Sequence, residues 1–152
     1  MIGSVAIKEG TPELGSHLQA GEITLLVDKA QRPSTRKLQV LLSEQKIHWN
    51  GYDELAPDLI SSRVVSDWCQ ASAVSLSRLI EMIIAINDPS KIVIGGGLNL
   101  KLVETIVDNI ALKNGTRKEK IAFATPVLTA EAERGSPAFG AAYLPLLEVM
   151  YQ

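Results

Sequence analysis

The spacing of apolar and polar positions changes period along the chain. Residues 3–8 alternate loosely around Val5, Ala6 and Ile7 and reach Glu9-Gly10, a turn signal. Pro12-Glu13-Leu14-Gly15-Ser16 then reads as a short returning strand, so the chain opens on a hairpin. Residues 17–21 read as loop, and 22–28, Glu-Ile-Thr-Leu-Leu-Val-Asp, predict a third strand. Residues 29–34 carry Gln, Arg, Pro and Ser and read as loop. The run 36–49 fits two patterns. It reads as a hairpin turning at Ser43-Glu44-Gln45, or equally as one short helix; Asn50-Gly51 is a turn dipeptide.

Beyond Pro57 the period becomes helical. Leu59-Ile60 fits a short piece. Val64, Val65, Trp68, Ala71, Leu76, Leu79, Ile80, Ile83 and Ile84 then recur at three- and four-residue steps. That spacing gathers one apolar stripe on a long helix ending near Asn87, where Asp88-Pro89 stops it. Ile92-Val93-Ile94 reads as a short buried strand, Gly95, Gly96 and Gly97 follow, and residues 100–112 read as a helix. This is a βα unit. Asn114-Gly115 marks a turn, and Ile121-Ala122-Phe123-Ala124 reads as a final sheet strand bounded by Pro126. Residues 136–151, with Phe139-Gly140-Ala141-Ala142-Tyr143-Leu144, read as a small-residue helix suited to packing on a sheet. The expected class is α/β: one domain over residues 1–152, with opening antiparallel strands in a mixed sheet, then βα units, and helices packed on it.

Composition narrows the function classes. The chain has 152 residues and a net charge of −2 with scattered Lys and Arg, which gives no basic face for direct nucleic-acid binding. A single cysteine, Cys69, excludes an internal disulfide and a multi-cysteine zinc site, and reads as a small buried apolar residue. Met1-Ile2-Gly3-Ser4 has no basic region followed by an apolar run, so no signal peptide is expected. The sequence predicts no window with the roughly 18 to 20 apolar residues of a membrane span, so a soluble, cytoplasmic chain is expected.

The chemistry-bearing feature is the glycine triplet. Without Cβ atoms the backbone turns tightly and admits a close ligand. The helix start behind it offers unpaired N–H groups and partial positive charge, which suit phosphate. The same triplet also fits a tight turn packed against a neighbouring helix.

Residues 87–97, Asn-Asp-Pro-Ser-Lys-Ile-Val-Ile-Gly-Gly-Gly, resemble a passage of the ROK family of bacterial repressors and sugar kinases. Glu133-Arg134-Gly135-Ser136-Pro137-Ala138-Phe139-Gly140-Ala141-Ala142 resembles that family's closing passage. Ala20-Gly21-Glu22-Ile23 is similar to the start of its Gly-Glu-Ile-Gly-His sugar motif. The landmarks keep family order over nearly the whole chain, but span only the C-terminal half of a full-length member. The resemblance implies the C-terminal lobe of an actin-like (RNase H-like) ATPase fold, with the N-terminal lobe or DNA-binding segment absent. It implies Glu22 as a sugar contact and Gly95, Gly96, Gly97 and Gly135 as nucleotide-facing positions.

Two departures qualify those expectations. Thr24 and Leu25 stand where the motif has glycine and histidine, and residues 32–45 hold no cysteine where the family has its zinc loop. Leucine cannot ligate zinc, so no metal site is expected, and His17 and His48 are isolated. No Asp-x-Gly-Gly-Thr phosphate loop occurs, and Asp28, Asp53, Asp58, Asp67, Asp88 and Asp108 lack the context of the family's catalytic base. The chain alone is therefore expected to have no catalytic residue, no zinc and no resident cofactor; ATP with Mg enters only if it derives from a kinase.

Three readings stay open. One is the sugar-sensing and dimerising domain of a ROK-type transcriptional regulator. Another is the nucleotide-binding lobe of a ROK sugar kinase. The third is an inert remnant or association module. Expected partners are a sugar, a nucleotide under the kinase reading, and a second copy in a homodimer, with neither nucleic acid nor membrane bound by this segment.

Overall fold

The computed structural model describes residues 2–51, 54–112 and 125–131. Strand β1 (Ala6–Lys8) pairs antiparallel with β2 (Thr11–Glu13), with Ala6 opposite Glu13 and Lys8 opposite Thr11. Glu9 and Gly10 both take positive φ, 52° and 81°, which is the turn that matches strand twist in a two-residue hairpin. The opening hairpin therefore forms as the sequence indicates.

The third strand does not. Residues Ile23–Leu26 form a single 3-10 turn instead. An extended segment needs a neighbouring ladder for its N–H and C=O groups, and here they are satisfied locally. Leu25 N–H donates to the Glu22 carbonyl (3.3 Å) and Val27 N–H to the Thr24 carbonyl (3.3 Å). Thr24 turns inward and its hydroxyl donates to the Ile2 carbonyl, leaving Leu25 and Leu26 exposed. A second 3-10 turn follows at Lys29–Gln31.

The undecided run resolves as helix α1 (Thr35–Glu44). Leu38 and Leu42, one turn apart, are fully buried. Lys46 takes φ 63°, its N–H donates to the Ser43 carbonyl (2.9 Å), and Ile47 N–H reaches back to Leu42 (3.0 Å). This left-handed cap closes the helix and turns Ile47 onto the core.

A short α2 (Pro57–Ile60) leads into α3 (Arg63–Asn87), 25 residues long. Its C-terminus lies where the sequence places it, although Asp88 caps it in the left-handed region (φ 44°, ψ 56°) rather than in the extended conformation favoured before proline. The buried face of α3 holds Val65, Trp68, Cys69, Ala73, Leu79 and Ile80, as the stripe predicts in large part. Ala71, assigned to that stripe, is exposed, and three serines occupy buried positions. Ser75 Oγ donates to the Gln31 carbonyl (2.8 Å) and Ser77 Oγ to that of Ala73 (2.8 Å), while Ser77 accepts from Ala111 N–H (3.2 Å).

The main core is helical. Leu38 and Leu42 of α1, Trp49, Leu55, and Val65, Trp68, Cys69 and Ala73 of α3 meet Leu102 and Ile106 of α4 (Leu100–Asp108). An 18-residue window of α3 has mean hydropathy 1.4, so by length and composition this helix passes the test for a membrane span, contrary to expectation. One face of it packs against α1, α2 and α4, and 39% of that window is buried.

Strand β3 (Ile92–Ile94) runs parallel to β4 (Val127–Thr129), with Val93 opposite Leu128. The sequence reading placed the last strand at 121–124, which lies outside the described residues, and did not anticipate β4. Among the described residues the antiparallel and parallel pairs are two separate two-stranded sheets, not one mixed sheet. Nor is β3 buried throughout. Ile92 and Ile94 are half-buried, whereas Val93 is 52% and Leu128 45% exposed, the alternation of a sheet covered on one face. The turn at Asn114-Gly115, the helix over 136–151 and Gly135 also lie outside the described residues.

Two outcomes follow from this core. Leu38→Ala removes a fully buried side chain and is expected to cost about 2–5 kcal/mol, read as a lower urea midpoint at unchanged slope. Burial pushes the Cys69 thiol up from 9.0 to about 11. The native thiol should resist alkylation at mildly alkaline pH and react on denaturation. Because the unfolded thiol ionises first, its stabilising contribution should be intact below pH 9.0 and lost as pH rises towards about 11, read in melts of wild type against Cys69→Ala.

Candidate functional site

The end of β3 brings the chain back onto β4. Ala130 N–H donates to the Ile94 carbonyl (2.8 Å), so the backbone beyond β4 runs against Gly95. A Cβ added at Gly95 would lie 2.6 Å from the Ala130 Cβ, so this glycine is required by close approach to the β4 exit. Gly96 is required for a different reason, its φ of 133°. Gly97 meets neither demand: a Cβ there has open space within 4 Å among the described residues. All three are exposed. The triplet thus combines two structural glycines with one, Gly97, whose missing side chain no packing or dihedral demand among the described residues explains.

The adjoining helix start differs from expectation. Asn99, buried at the N-cap of α4, accepts from the Lys101 N–H at 2.9 Å, and the Asn99 carbonyl receives Leu102 and Val103. One of the amides that the sequence offered to a phosphate is therefore capped by the chain itself. Lys101, the cation nearest in sequence, is paired with Glu104 at 2.9 Å. Glu131 follows β4 and is exposed, which adds a carboxylate at the carboxyl end of the strand pair. In parallel sheets ligands seat beyond the carboxyl ends of strands. Among the described residues that location offers open backbone and one exposed carboxylate.

Glu22 caps the 3-10 turn with its own backbone, φ −70° and ψ 51°, and its carboxylate is exposed, with no hydrogen bond or ion pair among the described residues. It is held beside Gly21, whose φ is 93° and whose carbonyl accepts from Ser4 N–H (2.9 Å). A Cβ on Gly21 would run into the Ser4 carbonyl oxygen, so the residue before the glutamate is fixed by the fold. Among the described residues no contact joins Glu22 to the glycine triplet, and Gly135 lies outside them. Asn99 and Glu131 were missed by sequence reasoning. The polar residue just ahead of the apolar 100–112 run was a usable N-cap signal for Asn99; Glu131 had none without β4.

Among the described residues no three His, Cys, Asp or Glu side chains gather to hold a metal. Cys69 is buried in the helical core, remote from the role of a zinc ligand.

No family model matches the chain, and no solved structure matches it. It is similar to an uncharacterized protein, y4fQ, of Sinorhizobium fredii (strain NBRC 101917 / NGR234), with 31% identity over 113 residues. That similarity takes in 70% of this chain but only 29% of the relative's length.

The division of the triplet is testable without a ligand. Gly95→Ala and Gly96→Ala should each destabilise by about 1–3 kcal/mol, whereas Gly97→Ala should leave the melting temperature nearly unchanged. Greatest sensitivity at Gly97 would contradict the geometry.

Proposed function

We propose that the chain is a sugar-sensing and dimerising domain of a ROK-type transcriptional regulator, on the C-terminal lobe of an actin-like fold, acting in the cytoplasm and non-catalytic by itself. The observation that carries this reading is the exposed, unengaged carboxylate of Glu22 on a backbone locked by Gly21. A carboxylate accepts hydrogen bonds from sugar hydroxyls and needs no reacting partner to do so. The capped start of α4 and the acid at Glu131 favour a neutral hydroxylated ligand over a nucleotide. Exposed Val5, Ile7, Leu14, Leu18 and Leu25 supply apolar surface for association with a second copy. The much greater length of the related protein is compatible with further segments that contact DNA or complete a pocket.

A kinase-lobe reading keeps one observation in its favour, the open approach at Gly97. Thermal denaturation with hexoses, N-acetylhexosamines and ATP with Mg separates the two. A sugar present at one hundred times its Kd should add about 2.7 kcal/mol of stability, and Glu22→Gln should abolish that gain while leaving the unliganded melt unchanged. Stabilisation by ATP that Gly97→Val removes, with no sugar effect, would turn the reading to the kinase lobe. Gly96→Val is the poorer probe, because its strained backbone would alter the fold as well.

A further inference from the structure

A groove of about 540 Å³ opens between residues 2 and 24, the loop after the second 3-10 turn and the first turn of α1. Lys29, Arg32, Arg36 and Lys37 line it, together with Thr24 and Ser34. Residues 29–37 hold these four cations and no acid, in a chain whose net charge is −2. None of the four has a carboxylate within ion-pair distance among the described residues, where the ion pairs are Arg63 with Asp67 and Lys101 with Glu104. Two of them are held in place by backbone carbonyls. Arg32 Nε donates to Val27 (2.9 Å) and Lys37 Nζ to Ala30 (3.1 Å). Those bonds position the cations and neutralise nothing. Like charges gathered in one concavity raise its potential, and an anion seated there relieves it.

We propose that this groove binds the phosphate group of a small phosphomonoester. The volume lies in the range of small-molecule sites, about 300–1,000 Å³. The four cations line a single concavity of that size, whereas a nucleic-acid backbone needs a basic track along an extended face. Four positive charges also exceed what one carboxylate would balance, and suit a phosphate dianion. The uncapped Ser34 start of α1 adds partial positive charge to the same hollow. Nothing in this assignment depends on Glu22 or on the glycine triplet.

The test is calorimetric titration of the full chain, at constant ionic strength, with inorganic phosphate, glucose 6-phosphate and glucose. Phosphate and glucose 6-phosphate should bind. An advantage of the ester over phosphate would assign the rest of the groove to its organic part. The double variant Arg36→Gln/Lys37→Gln, at exposed positions, should retain the wild-type circular dichroism spectrum and lose about tenfold or more in affinity for both. Lys8→Gln/Lys91→Gln, an equal charge change elsewhere on the surface, should leave affinity unchanged. Absence of phosphate binding, or equal loss in the two double variants, overturns the proposal. So does tighter binding of a duplex oligonucleotide that Arg36→Gln/Lys37→Gln abolishes. Glucose binding as tight as that of glucose 6-phosphate and lost in Arg36→Gln/Lys37→Gln also overturns it.

Discussion

The structure depends on the burial of one face of α3. Small side chains at Cys69, Ser72, Ala73 and Ser77 make that face shallow enough for α1 and α4 to approach, and Trp68 and Leu79 flank it. Apolar area removed from water stabilises such a helix far more than its own propensity does. The three buried serines would oppose this burial if left unpaired, but Ser75 and Ser77 turn the cost into positioning. Ser75 pins the 3-10 segment through the Gln31 carbonyl, and Ser77 receives the chain leaving α4 through Ala111. The segment before α1 and the chain leaving α4 are both fixed against this helix.

Legibility in the sequence follows how local each signal was. The span and ending of α3, the strand at 92–94 and the start of α4 all rest on short-range periodicity and on Pro or Gly punctuation. They are found where they were expected. The run 36–49 stayed open between hairpin and helix because Leu38, Leu41 and Leu42 satisfy both periods. Burial of Leu38 with Leu42 and the left-handed cap at Lys46 settle it in three dimensions. Residues 22–28 carry β-branched and leucine side chains, yet a strand exists only with a partner. None is present there among the described residues, so the backbone closes on itself. Strand β4 was illegible for the converse reason: Val127, Leu128 and Thr129 are too few to show a period, and only pairing with β3 makes them a strand.

The candidate site divides along the same line. Glycine runs are visible in a sequence, but the reason for each glycine is not. Gly95 answers to a neighbour thirty-five positions on, and Gly96 to a dihedral angle, neither of which periodicity encodes. Composition likewise concealed the basic groove. A net charge of −2 averaged over the chain hides a nine-residue stretch with four cations, and only the fold turns that stretch into a concavity.

Charge placement then separates chemistries that the glycine pattern alone leaves together. The turn after β3 has a self-capped helix start, a paired lysine and an acid beyond β4, while the groove before α1 has cations without counter-charges. An anion at the turn adds negative charge to a region that already carries the exposed carboxylate of Glu131 beyond β4. The same anion in the groove relieves repulsion among Lys29, Arg32, Arg36 and Lys37. By charge alone the turn favours an uncharged ligand and the groove an anionic one, the division that the two proposed ligands follow.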